Sequence, residues 1–137
     1  MPGRKDYTQQ EFDSAKTAVA DQLSSFRKVA NLVGKTSSAL DEFEGLYFNN
    51  MVVVLDRYFV HRTRPITGKD GNPLNEVELI ADSLINNGGV FRGNNVIKYV
   101  PESSVVKLRA GDAIRLKAAD FELLSAAFFD DLKRKFL

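Results

Sequence analysis

The amino-acid sequence predicts a mainly α-helical fold, a bundle of about four helices with a short β-hairpin or strand segment between the third helix and the C-terminal one. Three observations carry this. Apolar residues recur at steps of three and four over most of the chain, capping patterns stand at helix starts, and strand-like runs bounded by turn residues occur only between Val90 and Leu116. With 137 residues and no cysteine, the chain has the size of one domain that builds its core without disulfides. The reading is one helical domain over residues 1–137, with residues 1–7 as a flexible N-terminal tail.

Thr8 and Glu11 form a capping box that opens the first helix, each side chain answering an amide that would otherwise be orphaned. Phe12, Ala15, Val19, Leu23, Phe26, Ala30 and Val33 then make one apolar stripe. Gly34 ends the helix, the polar run from Lys35 to Ser38 makes a turn, and Ser38 is the expected cap of the next helix, which returns antiparallel. That second, central helix runs from about Phe43 to His61. Leu40, Phe43, Tyr47, Phe48, Met51, Val54, Leu55, Tyr58 and Phe59 are expected on its broad inner face. On the other side Leu46, Val53 and Val60 are spaced by sevens, a narrow seam that needs a neighbour or a partner.

Pro65 and the following TGKDGNP predict a loop. Asn75 with Glu78 reads as a second capping box, and Val77, Ile80, Ala81 and Leu84 as the inner face of a third helix stopped by Asn87, Gly88 and Gly89. Beyond it, VVKL and AIRL flank the turn residues RAGD, the pattern of a hairpin. The last helix carries Phe121, Leu124, Phe128, Phe129, Leu132 and Phe136, with Asp120 at its start and Lys133, Arg134 and Lys135 at its end, as the helix dipole favours. Lys117 stands where a capping Ser or Thr would suit that helix.

Composition narrows the function. A formal net charge of +1 disfavours nucleic acid as a partner. The longest apolar run, Met51–Leu55, is far too short to span a bilayer and no secretory signal precedes it, so a cytoplasmic protein without a membrane partner is expected. A single histidine and no cysteine exclude thiolate and multi-imidazole metal sites, and neither metal nor cofactor is expected. GKDGN lacks the alternating oxygen ligands of a calcium loop; no nucleophile elbow, phosphate loop or DNA-reading helix is present.

Chemistry gathers at one place, the end of the central helix. Tyr58, His61, Arg62, Arg64 and Lys69 could hold an anionic small molecule, with His61 the one candidate for acid–base catalysis. Against this, a helix C-terminus attracts positive charge in any case, and loop lysines are ordinarily solvated. Arg62 projects along the apolar stripe, in line with Met51, Leu55 and Tyr58, so it must pair or reach solvent; Asp70, Asp130 and Asp131 are the expected partners. Glu44 lies on the same line about 27 Å away along the helix, so it needs a partner of its own.

The segment YFVHR followed by TGKDGNPLNEVELI resembles small uncharacterised helical proteins of actinobacterial type. The resemblance extends from about Phe48 to Phe128, is densest from Asp56 to Leu84, and implies no activity. The functional expectation is a non-enzymatic interaction protein, homodimeric through the Leu46, Val53 and Val60 seam or through the aromatic C-terminal helix. Its competitor is an anion-binding protein or enzyme using the end of the central helix.

Overall fold

The computed structural model describes residues 3–34 and 36–137; the expected tail residues Met1 and Pro2, and Lys35 of the interhelix turn, lie outside them. The chain is mainly helical. Five α-helices are described: α1 (Gln9–Val33), α2 (Ser38–Tyr58), the single turn α3 (Arg64–Thr67), α4 (Pro73–Asn86) and α5 (Ala118–Phe136), with a 3-10 turn at Pro101–Ser103. None of the helices is long and apolar enough to cross a membrane.

α1 starts on the capping box: Thr8 Oγ1 accepts from the Glu11 amide at 3.1 Å and the Glu11 carboxylate accepts from the Thr8 amide at 3.0 Å. It ends where Gly34 takes a φ of 93°. α2 returns antiparallel, since Phe26 stacks on Phe43 while Gln22, one turn earlier, accepts from the Tyr47 hydroxyl. The cap of α2 is Ser37, one residue before the expected Ser38; its Oγ accepts from the Leu40 amide.

The inner face of α2 is turned from the expected one. Phe48, Met51, Val52, Leu55 and the following Phe59 are buried, whereas Phe43 and Tyr58 are substantially exposed. Val52 faces the core because α2 packs between α4 and α5 as well as against α1, so the buried arc is set by three neighbours and not by the most apolar stripe.

Two expectations at the centre of the chain are corrected. Pro65 does not exclude helix at Arg64: in the first turn its missing N–H has no helical partner to lose, so α3 forms around it. The cap of α4 is Asn72, whose side chain accepts from the Asn75 amide, with Pro73 at the first helical position. Asn75 itself is buried inside the helix and ties down the preceding loop, donating to the Gly68 and Asp70 carbonyls at 3.1 and 2.8 Å. It is therefore unavailable as a cap.

The hairpin expected between Val90 and Leu116 is absent: the described residues contain no strand or sheet, only isolated bridges of Arg4 with Arg62, Asp70 with Lys98 and Val90 with Ala113. Side chains of the helices take the place of a ladder. Glu76 of α4 accepts from the Val105 and Val106 amides at 2.8 and 2.9 Å. Asn49 of α2 donates to the Ile114 carbonyl at 2.7 Å and accepts from the Leu116 amide at 3.0 Å. Ser83 of α4 accepts from the Arg92 amide. With its backbone groups met this way, the segment wraps α4, which is buried on nearly every side.

α5 supplies the largest apolar contribution, with Phe121, Leu124, Phe128, Phe129, Leu132 and Phe136 all buried. Its start, for which the sequence offered no capping hydroxyl, is served from elsewhere: Glu44 of α2 accepts from the Ala118 amide at 2.8 Å and Asp120 from the Lys117 amide at 3.0 Å. Tyr7, the last residue of the expected flexible tail, belongs to the core. Tyr7 is buried among Phe59 and Phe136 and its hydroxyl donates to the Phe59 carbonyl at 3.0 Å.

Candidate functional site

Two surfaces follow from the sequence, the junction after α2 and the outer face of α2. At the junction α2 ends at Tyr58, and the chain turns sharply through His61, which holds a φ of 75°. A side-chain-bearing residue enters that region only when its surroundings enforce it. Here they do: the Arg4 amide donates to the His61 carbonyl, and the Arg4 carbonyl accepts from the Thr63 amide and hydroxyl at 3.1 and 2.8 Å.

The five junction residues are close in sequence, but Arg62 and Arg64 are held by partners of their own while Tyr58, His61 and Lys69 are exposed. Arg62 is turned inward with its side chain 5% exposed. Its guanidinium donates to Asp56 Oδ1 at 2.8 Å and to the Phe59 carbonyl at 2.9 Å, and lies 5.5 Å from the centre of the Phe128 ring. Asp56, in the last turn of α2 and six residues before Arg62, thus replaces the expected partners. Asp70 instead accepts from Asn72, Asp131 is engaged by Arg134 and Lys135, and Asp130 is exposed. Arg64 is likewise committed, donating to Asn75 Oδ1 and Glu78 Oε2, each at 2.7 Å. Glu78 also lies 4.0 Å from Arg62. Both guanidinium groups therefore already face carboxylates, and an anion would have to compete with them.

His61 and Lys69 are exposed, and Tyr58 is 43% exposed. Among the described residues no side chain hydrogen-bonds the His61 ring, so the orienting partner of an acid–base pair is not in place. The chemistry available here is structural: Arg62 and Arg64 fasten the end of α2 to α4 and to the loop between them. No group of three or more His, Asp or Glu side chains converges as a metal-ligand set among the described residues.

The outer face of α2 has a different character. Leu46 is 66% exposed and Phe43 49%, while Val53 and Val54 are half-buried between them and Tyr58. Ile85 of α4, 65% exposed, adjoins this strip; one open hollow is lined by Leu46, Asn49, Asn50, Val53, Leu84 and Ile85, another by Val53, Val54, Arg57 and Tyr58. Val60, the third member of the expected seam, lies beyond the end of α2 and is partly buried in the turn. The seam therefore consists of Leu46 and Val53, widened by Phe43, Val54, Tyr58 and Ile85. Phe43, Val54 and Tyr58 had been expected on the inner face; their solvent side was legible only as the arc left over after α1, α4 and α5 are placed. Ile85 carried no signal beyond being apolar near the end of α4.

The aromatic face of α5, the other expected contact surface, is internal. Phe121, Phe128, Phe129 and Phe136 pack against α1, α2 and Tyr7, which removes them from any external partner. Comparison of the chain with protein-family models, with curated proteins and with solved structures gives no match to any of them.

Proposed function

We propose that this chain is a non-enzymatic interaction protein that self-associates through the outer face of α2. The observation that carries the reading is the run of exposed apolar side chains, Phe43, Leu46 and Tyr58 with Ile85 beside them, on a helix whose opposite face is buried in the core. Single exposed apolar residues are ordinary, whereas a contiguous strip of this kind on a stable helix favours a partner surface. Conversely, the two guanidinium groups of the junction are taken up by Asp56 and Glu78, with which a small anion would have to compete.

Sedimentation equilibrium at micromolar concentrations tests the reading. The wild-type chain is expected to be dimeric, and Leu46→Asp or Val53→Asp to shift it to a folded monomer with an unchanged helical circular dichroism spectrum. Leu46 is the more informative site because its exposure spares the fold. A wild-type chain that stays monomeric, or a Leu46→Asp chain that assembles as before, would remove the proposal.

A further inference from the structure

Resting on that reading of the α2 face, we infer that the partner is a second copy of this chain, docked with its α2 antiparallel and with the two-fold axis passing beside Asn50. The inference comes from how charge and shape are distributed about that residue. Asn50 is exposed and stands midway along the outer face of α2. At about 100° per residue, Glu42, Leu46, Val53 and Arg57 fall on one flank of Asn50, whereas Phe43, Tyr47, Val54 and Tyr58 fall on the other.

A two-fold axis normal to a pair of antiparallel helices sets each flank against the same flank of the other copy and reverses the direction of the chain. Residues then lie level when their numbers are equally far before and after Asn50. Glu42 of one copy comes within about one residue rise, roughly 1.5 Å, of Arg57 of the other. Leu46 stands against Val53 with the same offset, and Phe43 against Tyr58 and Tyr47 against Val54 with one of equal size in the opposite direction, so a register centred on Asn50 serves both flanks. Parallel docking, whose axis runs along the helices, would instead set each flank against the opposite one, with Glu42 and Arg57 each level with their own copy and not with each other.

The charges are available for this. Glu42 and Arg57 are both exposed and, among the described residues, neither is in an ion pair within its own chain. Their separation along α2 prevents them from meeting each other in one copy. Arg115, which shares a hollow with Glu42, is itself paired with Asp41 at 3.9 Å. At the axis the Asn50 amide carries both donors and an acceptor, so it can pair with its own copy, and a polar residue in an apolar seam fixes register. Ile85 on α4 extends the flank that holds Leu46 and Val53.

Charge reversal tests the register separately from the surface. Glu42→Arg and Arg57→Glu should each raise the dimer Kd by about tenfold or more by setting like charges together twice per dimer. Glu42→Arg combined with Arg57→Glu should restore assembly. The chain has no cysteine, so Asn50→Cys under mild oxidation should give a disulfide-linked dimer, whereas Ser14→Cys on exposed α1 should not. Dimers that Leu46→Asp abolishes, but whose reversed pair fails to restore assembly and whose Asn50→Cys form does not cross-link, would overturn the antiparallel register and leave the α2 surface standing. A wild-type monomer, or assembly indifferent to Leu46→Asp, would overturn both.

Discussion

Arg62 shows what a single side chain does here. Its guanidinium is nearly enclosed, so its charge is tolerable only because Asp56, the Phe59 carbonyl and the Phe128 ring surround it. Removing one member of a buried pair strands the other, at a cost of about 3–5 kcal/mol. Asp56→Ala should therefore destabilise the fold by an amount near that range, whereas Arg62→Met, which removes the charge and keeps the volume, should be milder; urea unfolding of both variants checks the order. A Met variant as damaging as Asp56→Ala would mean that Arg62 contributes packing and hydrogen bonds, not a charge in need of a partner.

Glu11 gives a pH dependence with a defined sign. The hydrogen bonds from Arg4 and from the Thr8 amide hold its carboxyl down to about 2, from the ordinary 4.5. Because the folded value is the lower one, its contribution is complete above about pH 4.5 and is lost as the pH falls toward about 2. Thermal melts of the wild type and of Glu11→Gln should converge over that window as acid is added. The side chain is exposed at the surface, so the effect is small and should shrink with salt. Curves that stay parallel from neutral pH to about pH 2 would contradict the assignment.

Among the elements, the segment from Val90 to Leu116 departs furthest from expectation. Its apolar runs suit strands, but a hairpin needs two strands able to satisfy each other, and here the amides of Val105 and Val106 are taken by the Glu76 carboxylate. Lys107 then holds a φ of 62°, which ends any extended run; its amide donates to Ser104 Oγ at 2.9 Å. Burial pushes the Glu76 carboxyl above its ordinary range despite its two amide donors. A raised folded value means that the contribution of this group weakens as the pH climbs through it. Glu76→Ala should free both amides and cost about 1–3 kcal/mol for each group left unmet, with faster hydrogen exchange at Val105 and Val106. Glu76→Gln, which keeps one acceptor oxygen, should fall between. Unchanged exchange in Glu76→Ala would show that the wrap is held by its apolar contacts alone.

α1 and α5 were legible because each obeys local rules. The Thr8 and Glu11 box, the stripe of Phe12, Ala15, Val19 and Phe26, and the aromatic periodicity of Phe121 to Phe136 depend on residues three or four apart, and helix geometry alone brings those together. α4 was legible as a helix but not at its start, because Asn72 and Asn75 are both competent caps and only the loop packed against Asn75 decides between them.

At the scale of the whole molecule, the same contest decides which arc of α2 faces solvent. Local pattern marked α2 as apolar on more than one side and marked the chain after it as rich in cations. It could not orient either feature. Once α1, α4 and α5 occupy three sides of α2, Val52 turns in, Phe43 and Tyr58 turn out, and the Leu46 and Val53 strip is left facing solvent. The end of α2, the richest site candidate by composition, becomes a fastening of Arg62 and Arg64 to Asp56 and Glu78.

The sequence by itself determined the helical class, the limits of α1, the presence of α5, the aromatic core and the presence of a seam on α2. All of these rest on short-range periodicity and capping, which a single chain segment displays without its neighbours. Only the tertiary structure decided which arc of α2 is buried, which carboxylate meets Arg62, that Glu44 caps α5, and that the segment from Val90 to Leu116 wraps α4 instead of pairing with itself. Those outcomes depend on donors and acceptors dozens of residues apart, for which proximity in the folded chain, and not proximity in the sequence, sets the partner.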